Sequence, residues 1–138
     1  MRSLFVLLIG CLIGMNGCSS PDQIIRVGQP NTENSENEKG YNIQGSSITQ
    51  EIKDEERVNR VKVIFESFKS IEEPTDITFQ KPDVFFEVYE PNNNVSVHQA
   101  YLWYKAEGGA VTSKTTNENE YYEITAEQAS TLKDLFNH

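Results

Sequence analysis

Between Val84 and Ile124 the chain alternates β-rich runs with short turn-forming links, and this constrains its fold more than any other feature. Val84–Glu90 (VFFEVYE) ends at Pro91 and three asparagines, a turn by composition. Residues 95–105 (VSVHQAYLWYK) form the longest run, and Gly108-Gly109 turns the chain into Ala110–Lys114. Polar residues 115–119 then lead to 120–124 (EYYEI). A shorter strand signal lies at 77–79. Links this short join neighbouring strands antiparallel, so the centre of the chain predicts an antiparallel sheet.

Helical spacing flanks that sheet. Val58, Val61, Ile64/Phe65 and Phe68 recur every three or four residues with charges between them, the mark of one apolar stripe. Asp54 suits the N-cap, and Glu55 and Glu56 fall where the helix dipole favours negative charge. Lys69 lies near the end and Pro74 forbids continuation, which predicts a helix over about 54–70. After the sheet, Thr125-Ala-Glu-Gln128 has the capping-box arrangement, and Ala129, Leu132 and Leu135/Phe136 supply a buried face. The expected fold is α+β: an antiparallel sheet of about four to five strands, preceded by one helix and followed by a C-terminal helix, over residues 48–138. Residues 18–47 are polar, with NTENSENEKG at 31–40, and read as a tether or loop. The β-branched stretch 23–27 (QIIRV) leaves a second reading open, in which the fold begins there and 29–41 is a long exposed loop.

The first 17 residues read as a secretory signal. Arg2 gives a short positive start, and Leu4 to Met15 is an apolar run of 12 residues, short of the roughly 20 needed to span a bilayer. Gly17-Cys18 ends the segment with a small residue before a cysteine. No A-x-A-like cleavage site is present. This ending resembles the lipobox of bacterial lipoproteins, in which the cysteine receives a diacylglyceryl group and becomes the mature N-terminus. Leu8-Ile-Gly-Cys11 is locally a better lipobox, but it would leave an apolar core of about seven residues and put Leu12-Ile13-Gly14 in the mature chain. Cys18, followed by polar Ser-Ser-Pro-Asp, is the expected lipidation site. The expected location is the extracytoplasmic face of the membrane, with the lipid on Cys18 as the membrane contact. Two acyl chains suffice for stable attachment.

Charge and residue inventory exclude several classes. Without residues 1–17 the chain has 121 residues, with 11 basic against 21 acidic ones, a formal charge of −10. Nucleic acid is excluded as a partner, since phosphate neutralisation requires a basic patch. The only other cysteine, Cys11, leaves with the signal, so stability must come from packing rather than a disulfide. His98 and His138 have no partners at the spacing of a triad or metal site. Glu87 and Glu90 point to opposite faces of one strand, and Glu87 and Glu123 read as residues on a solvated sheet face. Glu90 with Asn92–94, and Asn117–Glu120, offer oxygen donors without the spacing of a calcium loop. No phosphate loop, CxxC or HExxH occurs. No cofactor or metal is expected, and the chain does not read as an enzyme.

Strand alternation divides the aromatic residues between two faces. Val84, Phe86 and Val88, with His98, Ala100, Leu102 and Tyr104, form the better core face. The opposite face gathers Phe85, Tyr89, Tyr101, Trp103 and Tyr121. Either a helix covers that face too and these residues are ordinary core, or they form a binding platform for a sugar or peptide.

The order of motifs also resembles a known family. Ile52, Asp54 and Val58 at the helix start, Lys81-Pro-Asp-Val84 entering a strand, Leu102-Trp103 in mid-strand, Tyr122-Glu-Ile-Thr125, and Leu132-Lys-Asp-Leu135 are similar to the YhfM-like domain of small lipoproteins from Gram-positive, Bacillus-type bacteria. The resemblance covers most of 23–136 and departs from the family pattern in the Asn/Glu-rich stretch at 31–40. It implies an extracytoplasmic lipoprotein, with no catalytic residues to carry over. The function expected is a small interaction module for a protein, peptide or wall polymer. The alternative is a regulator or inhibitor of an envelope enzyme, since a helix before a four-stranded sheet is similar to cystatin-like architecture. A small envelope enzyme ranks behind both.

Overall fold

The alternation read from the sequence becomes a single antiparallel sheet. The computed structural model describes residues 21–34, 41–72, 74, 77, 80–114 and 120–137. In chain order the elements are β1 (Ile24–Asn34), β2 (Tyr41–Ile52), α1 (Glu55–Glu66), β3 (Lys69–Ile71), β4 (Val84–Glu90), β5 (Val95–Tyr104), β6 (Ala110–Lys114), β7 (Tyr121–Ile124) and α2 (Ala126–Phe136). The strands are ordered β2-β1-β4-β5-β6-β7-β3 across the sheet. The α+β class, the antiparallel sheet and the C-terminal helix are as expected, but α1 lies mid-chain after two strands instead of preceding the sheet.

Both helices pack on one face. Val58, Val61, Ile64 and Phe65 of α1 join Ala129, Leu132, Leu135 and Phe136 of α2 over Ile25, Val27, Ile52, Phe86, Val88, Ala100 and Leu102. Phe86 is central, edge-on to Phe65 at 6.0 Å and tilted against Phe136 at 5.3 Å between ring centroids. Each such side chain contributes roughly 2 kcal/mol by leaving water. The helices run antiparallel. The Arg57 guanidinium near the start of α1 donates to the Leu135 carbonyl near the end of α2, and the Gln128 amide near the start of α2 donates to Ser67 Oγ just past α1 at 2.7 Å. Since β2 and β3 are the two edges of the sheet, α1 carries the chain from one edge to the other.

The caps follow the sequence. Asp54 Oδ1 accepts from the Arg57 amide at 2.9 Å, and Thr125 and Gln128 form the reciprocal capping box. α1 ends earlier than the predicted residue 70. Ser67 Oγ donates to the Ile64 carbonyl at 2.8 Å, and Lys69–Ile71 then pairs with β7.

The strand number exceeds the expected four to five, for two reasons. Lys69 and Ser70 of β3 fall in the stretch expected as helix, and the polar stretch expected as tether contains β1 and most of β2. The reading in which the fold begins at 23–27 is the better guide, but β1 runs on to Asn34 through residues it placed in a loop, and β2 is a strand it does not contain. Two register shifts hid them. Thr49 is the extra residue of the first bulge, so Ile52 opposite Ile25 faces the helices while Ile48 pairs with Gly28, which faces away. At the second, Gln44 and Gly45 oppose Asn31 alone, and Gly45 takes φ +96°. Gly28 permits the close approach, since a Cβ there would lie 2.3 Å from the Ser47 carbonyl oxygen. The strand expected at 77–79 is not an element among the described residues. Ile77 lies in a turn, and 78–79 lie outside the described residues.

Candidate interaction surface

The sheet face opposite the helices has two halves of different chemistry. On the β2-β1-β4-β5 side, cross-strand register puts Glu51, Arg26, Glu87 and Gln99 in one row. Glu87 is only 4% exposed, which corrects the expectation of a solvated carboxylate. Its Oε2 accepts from Ser96 Oγ at 2.6 Å and Gln99 Nε2 at 2.9 Å, and its Oε1 pairs with Arg26 Nη1 at 3.0 Å. A buried carboxylate needs such partners. The Arg26 guanidinium lies 4.4 Å from the centroid of the Tyr89 ring, and Arg26 Nε, buried without a hydrogen bond, is 4.0 Å from Glu51 Oε1. Lys53 closes the row with Glu51 at 3.2 Å. Three donors hold Glu87 in place, so the row forms a fixed polar surface rather than a mobile acid and base.

On the β5-β6-β7-β3 side the surface is aromatic and covered. Trp103 is 6% exposed and packs with Val111, Tyr121, Ile71, Ile77 and Tyr101. The cover is the approach to β4 rather than a helix. Trp103 Nε1 donates to the Gln80 carbonyl at 2.9 Å, the Asp83 amide to the Leu102 carbonyl at 2.8 Å, and the Tyr104 amide to Asp83 Oδ2 at 2.7 Å. Burial raises the Tyr101 phenol above its usual range on this face; on the helix side, under Lys133, burial with Asp83 nearby does the same to Tyr104.

Of the five aromatic residues singled out from the sequence, Phe85, Tyr101, Trp103 and Tyr121 come together and only Tyr89 does not. Phe85 is buried against half-exposed Tyr101, with ring centroids at 5.5 Å, and Trp103 lies 6.4 Å from Tyr121. Tyr89 stands apart over Arg26, its hydroxyl donating to Asn94 Oδ1. Cys18, His138 and residues 117–119 lie outside the described residues. His98 is exposed, its ring stacked on Phe65 at 4.7 Å. Glu90 accepts from Asn93 Nδ2 at 2.9 Å and Gln23 Nε2 at 3.1 Å, and these bonds hold its carboxyl below the usual carboxylate range. Arg26, Ser96 and Gln99 were missed as a group, because only the β1–β4 and β4–β5 registers bring them to Glu87.

Beyond Gly28, the last β1 residue paired with β4, β1 continues only with β2 among the described strands. The pairs run from Gln29↔Ser47 to Asn34↔Tyr41, a two-stranded ribbon. Between the outer sides of α1 and α2 lies an open groove of about 880 Å³, where Val63 is 65% exposed. Among the described residues no cluster of three or more His, Cys, Asp or Glu is placed to hold a metal, and no helix is long and apolar enough to cross a membrane.

Two antiparallel helices on one face of a mixed-chemistry antiparallel sheet define a small α+β domain. The chain belongs to the YhfM family, whose model, described as YhfM protein, matches residues 31–138. That match begins within β1, in the Asn/Glu-rich stretch, later than the span of 23–136 read from the sequence. No curated protein and no solved structure matches the chain significantly.

Proposed function

We propose that this protein is an extracytoplasmic lipoprotein, held by a diacylglyceryl group on Cys18, whose folded domain is a binding module for a protein, peptide or wall polymer. The observation that carries the binding reading is the β1–β2 ribbon. A two-stranded ribbon is marginally stable alone, and although Pro30 is buried, its edges, unpaired among the described strands, offer backbone donors and acceptors to an added strand. Beside it the partly exposed members of the row, Arg26 and Glu51, supply polar contacts. An inhibitor would use the same ribbon, inserted into an enzyme's cleft. The test places a photo-crosslinking side chain at exposed Gln29 in the membrane-tethered protein, with Thr131 on the helix side as the control. A discrete adduct from position 29, absent from 131, supports the reading. Equal labelling from both positions, or none from either, counts against it.

A further inference from the structure

The fold fixes which end of the domain meets the lipid. We infer that the β4–β5 hairpin end, led by Val95 and Val97, rests on the bilayer surface; this deepens the lipoprotein reading and depends on it. Gln23 is tied to Glu90 at the base of that hairpin by the 3.1 Å hydrogen bond, and β1 begins at the next residue. Cys18 and Gln23 are five positions apart, so fully extended chain spans at most about 18 Å between them. The anchor is therefore a short leash tied to one end, in place of the 30-residue tether that composition suggested.

At that end two large apolar side chains stand exposed, beside a polar recess lined by Asp22, Lys53, Lys62 and Glu90. Val95 is 49% and Val97 39% exposed, two of the three large hydrophobic side chains exposed among the described residues. Val97 sits at the irregularity where Tyr89 pairs with Ser96 and Val88 with His98, which turns it out of the regular ladder. The surrounding turn residues, Asn92, Asn93 and Asn94, are uncharged and exposed. The opposite end, at the Lys105–Gly109 turn, is the length of β5 away, ten residues or roughly 33 Å. With a formal charge of −10 for the lipidated chain, electrostatic attraction to anionic lipid does not hold the domain down. The leash and the two valines do.

The test uses full-length protein from a Gram-positive host, reconstituted in phosphatidylcholine–phosphatidylglycerol vesicles containing a lipid nitroxide quencher. Acylation of Cys18 leaves the chain without a thiol, so Asn92→Cys and Glu107→Cys each carry one fluorophore. The expected result is at least threefold stronger quenching at 92 than at 107, reduced at least twofold when Val95→Asp and Val97→Asp are added. Both substitutions are at exposed positions, and an unchanged melting temperature confirms that the variant is folded. Equal quenching at 92 and 107, or quenching insensitive to the two substitutions, overturns the inference while leaving the lipoprotein intact. Intact mass without a diacylglyceryl group on Cys18, together with failure to float with vesicles, removes the lipoprotein reading and the inference with it.

Discussion

The two faces of the sheet bury aromatic residues by different means. On one face, two amphipathic helices cover Phe86, and the cover is built from side chains alone. On the other, the chain leading into β4 covers Trp103, and the contact depends on a backbone carbonyl, that of Gln80. Next to that aromatic half, Glu87 is buried with no helix over it, enclosed by the polar side chains of neighbouring strands. Absence of a helix from a sheet face thus does not make the face open. Neighbouring side chains and an irregular segment exclude water from Glu87 and Trp103, and leave the ribbon, the Glu51 end of the polar row and the hairpin end accessible on this side.

This comparison can be broken in order of expected effect. Phe86→Ala should cost about 3–5 kcal/mol, because it empties the centre of the helix-covered core, and urea unfolding would read it. A loss under 1 kcal/mol would mean the helices do not hold that face. Arg26→Ala should cost about 2–3 kcal/mol, since it leaves Glu87 buried beside neutral donors only. Arg26 is itself partly exposed, which keeps the figure below that of a fully buried pair. Recovery of stability in the double variant Arg26→Ala/Glu87→Gln would assign the cost to the unpaired charge. Trp103→Phe should cost about 1–2 kcal/mol through the lost hydrogen bond and indole volume. In the unsubstituted protein Trp103 should emit in the blue and resist iodide, and easy quenching would show that the 80–83 cover opens in solution.

The smallest effect concerns pH at the hairpin end. Glu90 is held below its usual range in the fold by Asn93 and Gln23, so its contribution is present above the ordinary carboxylate range and is lost as pH falls through the lowered value. Melting temperatures of the protein and of Glu90→Gln should therefore converge between pH 5 and about pH 3. A constant difference over that range would show that the Gln23 clamp does not form in solution.

Elements that bury a regular stripe were legible in the sequence. Val58, Val61, Ile64 and Phe65 at helical spacing gave α1, the alternation through Val84–Glu90 gave β4 and its core face, and Thr125 with Gln128 gave the start of α2. Elements with a broken period, or defined only by a distant partner, were not. β2 is an edge strand interrupted by Thr49 and Gly45, so its apolar residues change faces and no period of two survives. β3 follows a helical stripe directly, and only its pairing with Tyr121–Ile124 makes it a strand. The same applies to the polar row. Glu87 reads as solvated until Arg26, more than sixty residues earlier, is placed on the adjacent strand. Aromatic content marked the opposite face as notable, but nothing local revealed that residues near Gln80 would fold across Trp103.

The position of β1 has a mechanical consequence. The chain enters the fold through an interior strand, with β2 on one side and β4 on the other. Tension applied to the residues before Ile24 would run along that strand, perpendicular to its ladder hydrogen bonds. Both ladders would carry the load together in shear, whereas an edge strand pulled outward would peel one bond at a time. A domain pulled from this end is gripped by two ladders at once.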